Sequence, residues 1–519
     1  MTANDFKLDR ESFDCLKTIL DDSCELSVEK DFVLADYCPD IFRIQGCKAE
    51  PKIISWGVNG AKLDFELAVT LRILYESENS STLSFVEQKL SYSKSIDLPE
   101  SVKNADVRLT PVCDYINCRV VNKRRIDARG AVTVKIKVTA KESGKLLLNA
   151  FGSGIQLKRR SITCPEKLIT AVKRITIVEE FELGASKPAP ASMIRCSCAV
   201  LKGEQKIIAG KLVVKGDAEV TMLYSCNSQD GSEGFENMKF TIPFSQVVDV
   251  DGIDESFTTA VDISCISCEV IPKGEGQPTL EGEVVLLVSI TALKLCETQA
   301  VTDAYSTRYE TTLKKETLTL IGSPTEFDLS DSKSINIKPA DEPISQIFDA
   351  WGELSGVSVR YDADKKEYTL LGNLKCSVIG KSESGRPFYS EREEPFERSL
   401  GKELTCSEGA VFNVNAFVRS VSFRLSDEST AELTAVIITS GSYFDNTKAE
   451  FITDITVDTD KPRKREKSCA LKLCRCDEGA DVWELAKKYA TSVEGIEQEN
   501  ELDGNAPCAG EMLLIPLIS

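Results

Sequence analysis

The sequence predicts a mainly β protein, with three tandem antiparallel β-sandwich or barrel-like units of about 150 residues each and a small βααβ module after them. Three observations lead to this prediction. Apolar side chains alternate with a period of two residues in many segments, which is typical of half-buried strands. The alternating segments recur at a nearly constant spacing, which indicates internal repeats. Near residue 481 the apolar period changes to that of a helix.

The first repeated landmark is a long alternating strand. Residues 63–75 place apolar side chains at every second position and end at Tyr75. Residues 212–224, which end at Tyr224, and residues 368–380 repeat the pattern at offsets of 149 and 156 residues. The three segments therefore predict equivalent strands in three copies of one unit.

Two further landmarks keep the same period. Tyr92, Phe244 and Phe396 stand in short segments with polar flanks and are 152 residues apart both times. Residues 118–121 are matched by residues 268–271 at an offset of 150 residues. Because independent landmarks agree on one period, a chance alignment does not explain them.

Each unit closes with another alternating or β-branched run. These runs lie at residues 131–138, 283–290 and 431–439. Strands at this spacing, separated by turn-forming clusters, are typical of antiparallel sheets stacked as a sandwich or a partly open barrel. Helical spacing is expected only in the first 20 residues, at 164–173, at 343–351 and near the C-terminus.

Changes in composition predict the domain boundaries. The segment Asp460–Lys467 is rich in lysine and arginine, as in a solvated tether or in a docking strip for an acidic partner or lipid surface. The predicted domains are 1–160, 161–318 and 319–460 for the three β units, 461–467 for the charged linker, and 468–519 for the C-terminal module.

The charge balance excludes whole classes of partner. The chain carries 82 acidic and 63 basic side chains, a formal net charge of −19, which repels phosphate backbones and anionic lipids. We therefore expect no nucleic-acid partner. No run of about 18 apolar residues and no secretory signal is present, so we expect no integral membrane segment and a cytoplasmic protein.

Residue counts also limit the chemistry. The chain has no histidine, which removes imidazole acid–base catalysis, histidine-activated nucleophiles and histidine-ligated metals. Its 19 cysteines are scattered and odd in number, which favours reduced thiols over a disulfide framework. A lone Cys265–Cys268 pair is insufficient for an ordinary structural zinc site. We expect no catalytic residues, no cofactor and no metal.

The C-terminal module has helical periodicity between two strands. Asp481 is placed to cap a helix whose apolar residues include Trp483, which we expect in the core. Ser492 is placed to cap a second helix containing Ile496. Residues 471–474 and 512–516 are the flanking strands. These residues, together with residues 507–511, make the segment resemble a LysM domain from end to end.

The resemblance to LysM domains implies a binding groove, because such domains usually hold N-acetylglucosamine polymers between two loops. Carried onto this sequence, the partner-binding groove consists of Asp477, Glu478, Gly479, Ala480, Asp481, Val482, Leu502, Asp503, Gly504, Asn505, Pro507 and Gly510. The sequence departs from the common pattern at Ala480, where an aspartate usually stands, and the first loop is acidic. A protein partner and a glycan therefore both stay open.

The repeats carry a second resemblance. Residues 34–42 resemble the signature that opens the SPOCS domain of endospore-forming Firmicutes, and Ile242–Ser245 is another of its features. Tandem SPOCS-type units followed by one LysM domain are similar to the SipL family of spore-coat morphogenetic proteins.

Membership of that family implies a non-enzymatic scaffold in the mother cell during sporulation. Its LysM domain would bind the stage IV A coat morphogenetic ATPase and so anchor coat assembly at the forespore surface. The SPOCS units would contact other coat proteins. The alternative is a cell-wall protein that binds peptidoglycan or N-acetylglucosamine.

Overall fold

The chain folds into three six-stranded units and a C-terminal module, as seen in a computed structural model. The structure describes residues 6–77, 83–102, 105–152, 154–184, 187–227, 233–274, 279–339, 342–401, 404, 406–463, 469–476, 481–502, 510 and 512–517. Strands dominate all three units, so the predicted mainly β fold class is confirmed.

The strands follow the same order in each unit. Unit 1 contains β1 (Lys7–Val33), β2 (Ile41–Asn59), β3 (Lys62–Ser77), β4 (Leu83–Asp97), β5 (Asp106–Asn122) and β6 (Arg125–Phe151). Unit 2 contains β7 (Ile155–Glu182), β8 (Pro190–Ile208), β9 (Lys211–Asn227), β10 (Glu233–Asp249), β11 (Thr258–Pro272) and β12 (Thr279–Ser306). Unit 3 contains β13 (Tyr309–Ile337), β14 (Ile344–Asp362), β15 (Glu367–Ser382), β16 (Pro387–Ser399), β17 (Val411–Asp427) and β18 (Thr430–Pro462).

Each unit is a sandwich of two antiparallel three-stranded sheets. In unit 1 the sheets have the strand orders β1-β6-β5 and β2-β3-β4, and units 2 and 3 repeat this topology. The middle strands β3 and β6 face one another across the core. Every second side chain of β3, from Leu63 to Tyr75, is at most 2% exposed, as the alternation predicts. Burying one such side chain contributes about 1.5–3 kcal/mol.

The first and last strands of each unit continue beyond the sandwich as a two-stranded ribbon. In unit 1, β1 pairs with β6 from Val33 opposite Arg125 to Lys7 opposite Phe151, whereas β5 pairs only as far as Thr139. The corresponding strands of units 2 and 3 form equivalent ribbons. The ribbons explain why these outer strands are 27 to 33 residues long.

The three ribbons pack against one another around a pseudo-threefold axis. Leu147, Val301 and Ile452 are fully buried in one shared cluster. Each lies two positions before a residue whose side chain accepts a hydrogen bond from the next backbone N–H. These three residues are Asn149, Asp303 and Asp454, with distances of 2.9–3.0 Å. An irregularity in strand pairing occurs at the same place in every ribbon. The repeat is therefore reproduced down to single residues.

The units are linked at the tips of these ribbons. Residues 152–154 connect β6 to β7, and Thr307 and Arg308 connect β12 to β13. The two links touch, because the Thr307 N–H donates to the Gly154 carbonyl at 2.9 Å. At the same end, the Arg463 N–H donates to the Arg308 carbonyl at 2.9 Å.

A second junction joins the sandwiches. Leu74, Leu223 and Ile379 hold equivalent positions on the middle strands and belong to one cluster. Charged groups surround it: Lys48 pairs with Glu50 at 2.8 Å and with Glu353. The units are thus held together at two places, by aliphatic packing between the ribbons and by mixed apolar and ionic contacts between the sandwiches.

Three predicted helices are wrong. Of these stretches, residues 7–20, 164–173 and 344–351 lie in β1, β7 and β14, and residues 1–5 lie outside the described residues. Each of these strands contains a β-bulge or irregularity in that stretch. A bulge inserts an extra residue and shifts the two-residue alternation, so the apolar spacing imitates a helix.

The predicted domain boundaries do not coincide with the ends of strands. The predicted limits at 160/161 and 318/319 fall inside β7 and β13, and Lys461 and Pro462 of the predicted linker belong to β18. Residues 464–467 of that linker lie outside the described residues.

The cysteines differ in part from the expectation of reduced thiols. Cys47 and Cys118 form a disulfide between β2 and β5. Sixteen further cysteines are free thiols in the described part of the chain. Of these, Cys164, Cys226, Cys376 and Cys476 are buried, and the others are half-buried.

Candidate functional site

The C-terminal module has the predicted βααβ order. Its elements are β19 (Leu471–Arg475), α1 (Val482–Tyr489), α2 (Val493–Asn500) and β20 (Met512–Pro516). Both predicted caps are confirmed, because the Asp481 carboxylate accepts from the Trp483 N–H at 2.9 Å and the Ser492 hydroxyl accepts from the Gly495 N–H at 3.1 Å. These bonds satisfy amides that a helix start leaves unpaired.

The core of the module lies between the helices and one face of the β19–β20 sheet. Trp483 is 6% exposed, which confirms its predicted position in the core. Ile496, Leu513 and Ile515 are at most 1% exposed in the same cluster. Tyr305, another large member of this cluster, comes from β12 of unit 2.

Tyr305 joins the module to unit 2. Its ring packs edge-on against Trp483 with centroids 4.9 Å apart, and its hydroxyl donates to the Thr491 carbonyl at 2.8 Å. The side chain is 0% exposed, and this burial raises the pKa of the phenol. The module therefore completes its core with a residue of unit 2.

Asp303, two residues earlier on β12, adds a charged contact. Its carboxylate accepts from the Trp483 Nε1–H at 2.7 Å and from the Lys487 ammonium at 2.6 Å. Burial alone would raise the pKa of Asp303, but these two hydrogen bonds outweigh it and hold the pKa below its ordinary value of 3.8. The contact is consequently strongest when Asp303 is ionised.

Two more polar contacts lie at the edge of this junction. The Lys158 ammonium, on β7, donates to the Asp481 carboxylate at 2.7 Å and lowers the pKa of Asp481. The Arg463 guanidinium donates to the Lys487 carbonyl at 2.8 Å and lies 5.9 Å from the centre of the Tyr305 ring. The junction thus combines aromatic packing with five hydrogen bonds that were not predicted from the sequence.

Part of the predicted groove can be placed. Asp481 caps α1 and contacts Lys158, Leu502 is 8% exposed in the module core, Val482 is half-buried, and the Gly510 N–H donates to the Cys476 carbonyl at 2.9 Å. The remaining groove residues, Asp477, Glu478, Gly479, Ala480, Asp503, Gly504, Asn505 and Pro507, lie outside the described residues. The groove as a binding site stays a prediction.

The opposite face of the β19–β20 sheet is an exposed apolar surface, here named the outer stripe. It consists of Leu471, Leu473, Met512 and Leu514, which are 44%, 57%, 50% and 36% exposed. Leu473 lies directly opposite Leu514, and the exposed Arg475 lies opposite Met512. Both strands alternate in the sequence, but alternation alone does not reveal which face is covered.

Two other kinds of site are absent from the described residues. These residues contain no group of three or more cysteine, aspartate or glutamate side chains that could hold a metal ion. Within the same residues, neither helix is long and apolar enough to cross a bilayer.

Comparisons with known proteins concern unit 2. Residues 191–271, which run from the start of β8 to the end of β11, match the family model described as SipL, SPOCS domain. Searches of curated proteins and of solved structures found no match. The match in unit 2 supports a SipL-like protein with a role related to sporulation.

Proposed function

We propose that this protein is a non-enzymatic scaffold of spore-coat assembly whose C-terminal module binds the stage IV A coat morphogenetic ATPase at the forespore surface. The match of residues 191–271 to the SPOCS domain supports a sporulation role. The resemblance of residues 468–519 to a LysM domain supports a binding role for the module.

The observation that carries the proposal of a protein partner is the outer stripe. Four clustered aliphatic side chains, each more than a third exposed, are unusual on a surface that faces only water. Protein interfaces bury apolar centres of this kind within a polar rim, and arginine is common among their residues. Arg475 provides such a rim next to Met512.

The contact with unit 2 leaves this surface available. The module faces unit 2 through Trp483, Lys487 and Asp481 on and before α1. The outer stripe lies on the sheet face that points away from the helices, since Leu513 and Ile515 point toward them. A partner therefore has access to the stripe without displacing the module.

A capture assay with the purified ATPase tests this proposal. Changing Leu473→Glu or Leu514→Glu should weaken capture by about tenfold or more, because each places a charge at the centre of the stripe. The matched control is Leu425→Glu on β17, where the leucine is 50% exposed. The control should bind as the unchanged protein does.

The predicted groove is tested in the same assay. Charge reversal at Asp477, Glu478 and Asp503 should weaken capture if the partner also contacts the groove loops. Undiminished capture by a chain that lacks residues 468–519 would contradict the proposal. That deletion also uncovers Tyr305, so the point variants identify the surface.

Sedimentation with purified peptidoglycan separates the proposal from glycan binding. A scaffold of the proposed kind should remain in the supernatant. Sedimentation of the unchanged protein, together with no capture of the ATPase, would assign the module to cell-wall glycan instead.

A further inference from the structure

Unit 2 contains four half-buried thiols at the junction of its two sheets. Cys196 and Cys198 lie on β8, and Cys265 and Cys268 lie on β11. The sulfur atoms of Cys196 and Cys268 are 3.2 Å apart. Interaction with Cys265 and burial raise the pKa of the neighbouring Cys198 thiol. The four thiols therefore form one group across β8 and β11.

The disulfide of unit 1 occupies the corresponding junction. Cys47 lies opposite Ile73 of β3, and Cys196 lies opposite Met222 of β9, at the equivalent position of the repeat. The Cys47–Cys118 bond joins β2 to β5, which are the strands that correspond to β8 and β11. Two units thus place a cysteine pair across the same two strands.

The second cysteines of the two pairs, Cys118 and Cys268, do not hold equivalent positions along β5 and β11, although they are 150 residues apart in the sequence. Cys118 pairs with Ala128, whereas Cys268 pairs with Val284, the counterpart of Gly130. The hairpin before β12 is longer, because Pro272 pairs with Leu280 while Asn122 pairs with Arg125. A disulfide between Cys196 and Cys268 would therefore join β8 to β11 at a different level from that at which the Cys47–Cys118 disulfide joins β2 to β5.

We propose that Cys196 and Cys268 are a dithiol modification site that forms a disulfide by exchange with a low-molecular-weight disulfide. One thiolate attacks a sulfur of the small disulfide, forms a mixed disulfide and expels one small thiol. The second cysteine then attacks the protein-bound sulfur and expels the second small thiol. The two cysteines are oxidised, the small disulfide is reduced to two thiols, and the protons of the cysteines pass to the leaving thiolates.

The surroundings of the Cys196–Cys268 pair make this reaction slow. Contact with Cys268 and burial raise the pKa of Cys196. Contact with Cys196 lowers the pKa of Cys268, but interaction with Cys198 and burial outweigh it and raise this pKa to about 12. Few thiolates form at neutral pH, so the pair persists reduced until a disulfide is supplied.

The proposal is tested on the full chain with oxidised glutathione as the probe. After long incubation, remaining thiols are alkylated, and the protein is digested without reduction for mass spectrometry. We expect a cross-linked peptide pair containing Cys196 and Cys268 and a loss of two alkylated cysteines in unit 2. The linkage should disappear on reduction.

Serine variants assign the sulfurs. Cys196→Ser and Cys268→Ser should each abolish the cross-link and retain one glutathione on the remaining cysteine. Cys198→Ser and Cys265→Ser are matched controls, because each removes a neighbouring thiol and should leave the cross-link intact. A cross-link from Cys198 to Cys265 or to Cys268 in the unchanged chain would overturn the assignment. So would complete alkylation of Cys196 and Cys268 while other cysteines become oxidised.

Discussion

The tips of the three ribbons are built alike, but among the described residues only the tip of unit 2 is covered. Three residues hold equivalent positions at these tips: Phe151, Tyr305 and Thr456. Each follows by two residues the side chain that accepts the backbone hydrogen bond at the strand irregularity, which is Asn149, Asp303 or Asp454. Phe151 is 50% exposed and Thr456 is exposed, whereas Tyr305 is 0% exposed beneath the module. The repeated pattern therefore gives three equivalent tips, and individual side chains decide which one binds the module.

The neighbouring position shows the same division. Asn149 accepts from the Arg159 guanidinium at 2.7 Å and Asp454 accepts from the Arg10 guanidinium at 2.6 Å, so both serve contacts between ribbons. Asp303 instead accepts from Lys487 and Trp483 of the module. The side chain at this position thus joins neighbouring ribbons in units 1 and 3, whereas in unit 2 it contacts the C-terminal module.

The largest expected effect is that of Tyr305→Ala. Removing the ring leaves a cavity beside Trp483 and an unpaired Thr491 carbonyl, which should cost about 3–5 kcal/mol of stability. Urea unfolding and amide hydrogen exchange in α1 measure the loss. Phe151→Ala, at the exposed equivalent position, should change stability by no more than about 0.5 kcal/mol. Equal effects at the two positions would contradict the comparison.

The shared part of the ribbons is tested by Leu147→Ala. This side chain is 0% exposed at the pseudo-threefold axis, so its truncation should cost about 2–5 kcal/mol. Ile452→Ala, at the equivalent position of unit 3, should cost a similar amount because it faces the same cluster. Thermal unfolding of both variants provides the measurement. A loss confined to one unit would show that the ribbons do not act as one core.

The substitution Asp303→Asn tests the difference between the ribbon tips through the pH dependence of the contact with the module. Because the pKa of Asp303 is lowered in the folded protein, its contribution is full above about pH 4 and is lost as the pH falls through the folded pKa. At neutral pH the substitution should cost about 1–3 kcal/mol, since Lys487 loses its charged partner. Hydrogen exchange in α1 should depend on acid pH in the unchanged protein and much less in the variant. Asp454→Asn should leave exchange in α1 unaltered.

The smallest expected effect is that of Lys158→Ala. The Lys158–Asp481 ion pair is nearly half exposed on both sides, so its removal should cost about 0.2–1 kcal/mol. Added salt should reduce the difference between this variant and the unchanged protein. Urea unfolding at low and high ionic strength tests this, and a difference that persists in high salt would contradict it.

Much of the fold was predictable from the sequence, because the middle strands alternate without interruption. Residues 63–75 and 212–224 are strands, as their periodicity predicts. The ribbons were not predictable in this way. Their bulges shift the alternation, and their burial depends on the other two units, which lie about 150 to 300 residues away along the chain.

The candidate site was predictable only within the module. Asp481 and Ser492 are local cap signals, and both caps form. The role of Tyr305 depends on a contact with Trp483 across 178 residues of sequence, and no local pattern distinguishes it from Phe151. Similarly, alternation in β19 and β20 predicts two faces but does not show that Leu473 and Leu514 lie on the uncovered one.

The links at the ribbon tips have a consequence for how the chain can be rearranged. Each unit starts and finishes at the same end of the molecule, and the short links there touch one another. A new start between Phe151 and Ile155, with the old ends rejoined through a spacer, would cut no strand. The chain is therefore suited to circular permutation. The three units should reach the same fold whichever of them is synthesised first.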